Sequence, residues 1–336
     1  AKVRNYVLRP LWHKAHDSYP QGYPADRVAY VNDVFFCAQD IVRLLQYKAA
    51  DMACGLDFQR YRRHGRALAA APATGPLSTA PEEEQPGLLR TPLEYLGTEA
   101  DWARNGSSSS SSSSTRKLMS SWHYYDVWVG RDIGGQMISS HNPYIRHEGS
   151  RNRFRQGWPI PVHSCWNGLA VMNAAPFTRH NLRFRAGVEV KDECRASECS
   201  IIGFDFMRLG YGKFLLDPSV RMMYTVEGSA VHGGFDVPMR SLAEVQAQHD
   251  KDGMSKGGDP VGAFWEPAVV AKHALTPSST ISCCGTDAKG ELDWRSWSSC
   301  APLDVMGGRN FTGEFLTYLQ QQLATPEGKL QWVGER

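Results

Sequence analysis

A low-complexity stretch divides this chain in two. From about Gln59 to Lys117 it runs through "RALAAAPATGPLSTAPEEEQPG" and on to "RNGSSSSSSSSTRK". Ala, Pro, Gly and Ser dominate, and the apolar content is too thin to offset the entropy of ordering a core. Any compact fold must therefore be assembled from the segments on either side. The stretch itself is expected to be a mostly disordered insertion, with one short helix near "PLEYLGTEADWA".

The flanking segments alternate strand-like and helix-like runs. The first, 1–58, reads helix, strand, helix, strand: "RVAYV" is β-branched and aromatic, Leu44 and Leu45 close an amphipathic helix, and "AADMACGLDF" is a short strand ending in Asp57. After the insertion (59–117) a second ordered region covers 118–230. "SSWHYYDVWVGRDIGGQM" is strand-like, and "VHSCWNGLAVMNAAPF" holds a strand that turns at "WNG". "RASECSIIGFDFMRLGYGKFLLDPSVRMMYT" reads as a helix after a polar start, a Gly-containing stop and a strand. Beyond Val231 the pattern loosens into Gly- and Trp-rich coil before a final helix, "FTGEFLTYLQQQLATPEGKL", in the extension 231–336. Alternating strands and helices predict an α/β architecture with a mainly parallel sheet.

With 336 residues the chain can bury a substantial core, and its 42% hydrophobic content and 21% charge are those of a globular protein. A net charge of +2 without a basic block argues against nucleic acid as the partner. No apolar run spans a membrane. The opening, "AKVRNYVLRPLWHKA", reads as the middle of a helical pattern, so an anchor or targeting segment is to be expected upstream. Of eight cysteines, Cys194, Cys199, Cys283, Cys284 and Cys300 are candidates for disulfides, whereas Cys37 and Cys54 lie in apolar segments and read as buried thiols. The sequons at Asn105 and Asn310 lean slightly towards a secretory compartment.

Within "RVAYVNDVFF", a strand runs straight into Asn32 and Asp33. A carboxylate there is costly to bury without a cationic partner. Either Asp33 caps the helix that follows, or it belongs to a metal or ligand site. Asp57, and Asp126 with Arg131 and Asp132, also fall at or near strand ends, where open α/β sheets gather ligands. Carboxylates at strand ends suit Mg²⁺ or Mn²⁺ bridging a diphosphate. There is no P-loop sequence. "CWNG" places Trp166 beside Asn167, an arrangement that suits a sugar's apolar face and hydroxyls, or equally a buried aromatic at a turn. "ASECS" puts Glu198 at a helix start, as a dipole-stabilised charge or as part of a cap with Ser197.

Taken together and in order, "YVNDVFFCAQDIVRLL", "DMACGLDF", "YYDVWVGRDIGG", "HSCWNGLAVMNAAPF" and "RASECSIIGFDFMRLGYGKFLLDPSVRMMY" strongly resemble the fungal α-1,3-mannosyltransferase family that includes the cryptococcal capsule-associated enzymes, glycosyltransferase family 69. The resemblance covers about 1–58 and 122–224. It implies a GT-A-like fold in which 1–58 and 118–230 form parts of one catalytic domain, apparently without the family's first β/α half. It further implies a GDP-mannose donor, a mannose-containing glycan acceptor, Mn²⁺ or Mg²⁺, and a Golgi lumenal setting as a type II membrane protein. On that reading Asp33, beside Asn32, takes the place of the metal-binding DxD-type element. Asp126, Arg131 and Asp132 line the donor or acceptor side, Trp166 and Asn167 contact sugar, Glu198 faces the acceptor, and His232 is a late metal ligand. The longer insertion and the missing half depart from the family. They leave a second reading open, a non-catalytic glycan-binding or assembly protein. A hydrolase would need two carboxyl groups about 5–10 Å apart across a cleft.

Overall fold

The computed structural model describes residues 2–12, 22–60, 122–185, 194, 197–225, 236–284 and 300–304. Almost all of the expected insertion, His232, both sequons and the expected final helix lie outside the described residues.

Helix α1 (Lys2–Val7) precedes strand β1 (Arg27–Val31), the run that leads into Asn32 and Asp33. Helix α2 (Ala38–Leu45) begins well past Asp33. Its cap is Cys37, whose N–H donates to the Asp40 carboxylate at 2.7 Å. Asp33 is thus not the cap of this helix. Strand β2 (Met52–Arg60) follows and is buried from Met52 to Phe58. The aromatic run expected as one strand-like segment gives two short strands, β3 (Trp122–Tyr124) and β4 (Arg131–Asp132), separated by a loop. Next come helix α3 (Glu148–Arg155), strands β5 (Ile160–Ser164) and β6 (Leu169–Asn173), and the short helix α4 (Ala175–Arg179).

Helix α5 (Glu198–Arg208) is capped by Ser197, whose Oγ accepts from the Cys199 N–H at 3.1 Å. It stops before Gly210 at φ 85°, and strand β7 (Phe214–Met223) follows, as the sequence predicts. Beyond residue 231 the expected coil is in part regular. Helix α6 (Leu242–Asp252) has a Ser241–Glu244 capping box and ends at left-handed Gly253. Helix α7 (Pro267–Lys272) and a hairpin of β8 (Thr280–Cys284) and β9 (Cys300–Asp304) come after it.

The sheet runs in the order β1-β6-β2-β7-β5-β4, with β3 also paired to β2. It is mixed and mostly antiparallel: only β2 and β7 run parallel, which corrects the mainly parallel sheet expected from sequence. The physical reason is burial on both faces. Strands β5, β6 and β7 are buried almost throughout, and an apolar run without alternation reads the same whether the pairing is parallel or antiparallel. One face packs Leu56, Phe58, Tyr124, Val162, Trp166 and Phe214 against Ile202 and Phe206 of α5. The other packs Ala53, Val171, Leu215 and Met222 against Leu44, Tyr47 and Phe264. Where β2 crosses β7, a bulge falls at Gly55, and a Cβ there would lie 2.5 Å from Val220 Cγ1 and 2.6 Å from its carbonyl oxygen.

Among the described residues, disulfides Cys54–Cys165 and Cys194–Cys283 join distant segments, and Cys300 is also disulfide-bonded. The first overturns the reading of Cys54 as a buried thiol, because its partner stands 111 residues away, where apolar context in the sequence cannot reveal it. Cys37 is exposed rather than buried, and Cys199 is a free buried thiol rather than a disulfide. No helix among the described residues is long and apolar enough to cross a membrane.

Candidate active site

The carboxyl end of β2 delivers Asp57, which is fully buried. Its Oδ1 accepts the Asp126 N–H at 3.3 Å and its Oδ2 accepts the Tyr224 hydroxyl at 2.9 Å. Tyr224 stands there because β7, which it follows, lies parallel beside β2. Asp126, in the loop after β3, is held in turn by Asn167, whose N–H donates to Oδ2 at 3.0 Å. The other carboxylate oxygen of Asp126, Oδ1, accepts no hydrogen bond among the described residues.

Asn167 is the hub of this network. It sits at φ 56° in the turn between β5 and β6, a left-handed conformation that Asn tolerates better than most residues. Its Nδ2 donates to the Gly55 carbonyl at 2.6 Å, and its Oδ1 accepts the Tyr124 hydroxyl at 2.6 Å. The Cys54–Cys165 disulfide ties the same turn to β2, beside Gly55 at one end and two residues before Asn167 at the other.

Burial raises the Asp126 carboxyl to about 7, with Asp33 and Glu198 adding to the rise while the Asn167 N–H and Arg4 oppose it. Burial, and then the charge of Asp126, pushes Asp57 well above the usual carboxylate range. The Tyr224 hydroxyl is raised by burial and by both carboxylates. Asp33 is exposed at the end of β1, where the Asn32 N–H is fixed to the Gly168 carbonyl at 2.8 Å. The Asp33 charge reaches Asp126.

Glu198 stands at the first turn of α5. Its Oε1 accepts Arg4 Nη1 at 2.8 Å, and the same nitrogen contacts Cys199 Sγ at 2.8 Å. The Arg4 guanidinium lies 4.8 Å over the Trp166 ring. Trp166 itself is fully buried between Tyr30 and Phe184, with ring centroids at 5.1 and 5.6 Å, and its Nε1 has no hydrogen-bond partner. Burial pushes the Cys199 thiol up to about 12, so it stays protonated at neutral pH.

The structure therefore brings Asn32, Asp33, Asp126, Trp166, Asn167 and Glu198 around one region. Arg131 and Asp132 are occupied elsewhere. Arg131 Nε donates to the Ser282 carbonyl at 2.6 Å and Nη1 to the Gly130 and Val127 carbonyls at 2.8 and 3.1 Å. Asp132 accepts the N–H groups of Gln136, Arg146 and His147 at 3.0, 3.1 and 2.8 Å. Tyr124, Tyr224 and Arg4 join the site without a sequence motif that marks them. The "RMMY" that ends β7 is the one signal that could have flagged Tyr224, because it shares the sheet end with Asp57.

Hard carboxylate oxygens from Asp33 and Asp126 fit a divalent cation of the Mg²⁺ type, which takes one or two carboxylates and leaves positions to water and phosphate. Among the described residues no three His, Cys, Asp or Glu side chains form a metal-holding group.

The carboxylate cluster lies where the parallel pair β2 and β7 end together, the one part of the sheet that shares the strand-end geometry of ligand-binding α/β sheets. The chain belongs to the family described as Cryptococcal mannosyltransferase 1, whose family model matches residues 1–205. It is similar to the alpha-1,3-mannosyltransferase CMT1 of Cryptococcus neoformans var. neoformans serotype D (strain JEC21 / ATCC MYA-565), at 29% identity over 235 residues. The match takes in 67% of this chain and 38% of that relative, so the chain spans well under half of its length. No solved structure matches the chain significantly.

Proposed function

We infer that the chain carries the catalytic region of a retaining mannosyltransferase, moving mannose from GDP-mannose to a mannose-containing glycan and forming an α-1,3 linkage. The observation that carries the reading is the Asp33–Asp126–Asp57 cluster at the carboxyl end of β2, in a chain of this family. Asp33 and Asp126 would hold Mn²⁺ or Mg²⁺, and Asp57 with Tyr224 and Asn167 fixes Asp126 from behind. When bound, the ion neutralises charge gathering on the departing diphosphate.

Both Asp57 oxygens are already hydrogen-bonded, and Asp126 is held by the Asn167 N–H and assigned to the ion. Neither carboxyl is poised as a nucleophile. That favours same-face attack, in which the leaving phosphate takes the acceptor proton and the protein supplies positioning and electrostatics. Glu198 contributes by fixing Arg4. The Cys54–Cys165 and Cys194–Cys283 disulfides support an oxidising setting, read here as the Golgi lumen, with the chain as part of a type II membrane protein. The mixed sheet with helices on both faces is read as a GT-A-like core.

The test is transfer from radiolabelled GDP-mannose to α-mannobiose with Mn²⁺ and again with EDTA. Metal-dependent product of α-1,3 linkage supports the reading. Acceptor binding without transfer would favour a glycan-binding or assembly role instead.

A further inference from the structure

Arg4 holds an unusual position among the residues around the cluster. A guanidinium paired only for stability tends to meet a carboxylate with two parallel N–H bonds. Here a single nitrogen, Nη1, makes both the Glu198 and the Cys199 contacts. Among the described residues, Nε and Nη2 donate to nothing. The side chain is nonetheless fixed: its Cζ lies 4.8 Å over the Trp166 ring, with the Tyr30 and Phe184 ring centroids at 6.0 and 5.7 Å. At 19% exposure it is open enough to be reached and buried enough for its charge to count. It is also the leading cationic influence on the Asp126 carboxyl.

We propose that the open Nε–Nη2 edge of Arg4 is a binding site for the phosphate oxygens of a nucleoside diphosphate. This rests on the reading of the chain as a nucleotide-sugar transferase. A diphosphate approaching Asp33 and Asp126 meets repulsion, and a cation on the protein side of the site offsets it without leaving the fold. The planar fork matches two oxygens of one phosphate, which a lysine ammonium cannot reproduce. Glu198 and Cys199 act as positioning residues: by occupying Nη1 they turn the free edge outward.

The experiment is a calorimetric titration with inorganic pyrophosphate, GDP and guanosine, each with Mg²⁺. Arg4→Gln is expected to weaken pyrophosphate and GDP about tenfold and to leave guanosine unchanged, and Arg4→Lys to recover only part of the loss. Melting curves of both variants report whether they fold, and Arg4→Lys carries the test if Arg4→Gln does not. Unaltered pyrophosphate affinity in a folded Arg4→Gln protein overturns the site, as does full recovery by Arg4→Lys. If wild-type protein binds pyrophosphate through Arg4 but not GDP, the phosphate site stands and the nucleotide-sugar reading falls. If it binds neither, the phosphate site falls, and the transfer assay alone decides the reading.

Discussion

Asn167 holds Asp126 in place: from a left-handed turn, its main-chain N–H donates to Asp126 Oδ2 at 3.0 Å while its side chain bonds β2 and Tyr124. One residue thereby couples the β5–β6 turn, the bulged strand and the loop that carries the carboxylate.

Asn167→Ala should cost about 3 kcal/mol. Alanine is strained by about 1–2 kcal/mol in the left-handed region, and the change also leaves the Gly55 carbonyl and Tyr124 hydroxyl buried without their partner. Asn167→Gly removes the strain but not the lost bonds, and should be the milder change. Urea midpoints of the two variants measure the difference; equal losses would mean the turn is not strained.

The Asp126 carboxyl gives stability a pH dependence of definite sign. Its folded value, about 7, lies above the ordinary 3.8, so the folded chain holds this proton more tightly than the unfolded one. The contribution is full below about pH 4 and is lost as pH rises towards 7, and Asp57 shifts in the same direction. Asp126→Asn should flatten the decline in urea midpoint between those limits. An identical slope in wild type and variant would remove Asp126 as its source.

Asp205 sits fully buried between two arginines. It pairs with Arg185 through both oxygens at 2.7 Å, and with Arg208 at 3.1 Å. Asp205→Ala removes the carboxylate shared by two buried guanidinium groups and should cost about 3 kcal/mol. Among the described residues these three side chains bond to one another rather than to Asp33, Asp57 or Asp126, so GDP affinity of the surviving folded fraction should change far less than stability. A loss below about 1 kcal/mol in chemical denaturation would contradict the buried pairing.

The Cys54–Cys165 bond closes a loop of 111 residues, worth about 4–5 kcal/mol in chain-entropy terms. The double variant Cys54→Ala/Cys165→Ala should therefore melt well below wild type. Its affinity for the donor should also weaken, because the bond anchors the turn carrying Asn167. Lower stability with unaltered donor affinity would confine the disulfide to a structural role.

Local signals were legible in the sequence where one residue suffices to cause the effect. Val28 and Tyr30 mark β1, Ser197 caps α5, Gly210 ends it, and "WNG" turns the chain. The capping box and closing glycine of α6 were equally readable, yet Gly-rich surroundings hid them. Strand direction was not legible, because β5 and β6 are covered on both faces and lose the alternation that marks antiparallel pairing. The site was half visible. Asp33, Asp126, Asn167 and Glu198 sit beside turns, strand ends or helix starts that the sequence announces. The pairing of Asp126 with Asp57, and of Arg4 with Glu198, is set by tertiary approach across 69 and 194 residues, which no local pattern encodes.

The most direct test of the carboxylate cluster as the donor site is calorimetry of GDP-mannose against wild type, Asp33→Ala and Asp126→Asn, with Mn²⁺ and with EDTA. Metal-dependent binding is expected in wild type, abolished in Asp33→Ala and weakened at least tenfold in a folded Asp126→Asn protein. Binding that is indifferent to EDTA and to both substitutions would place the donor elsewhere.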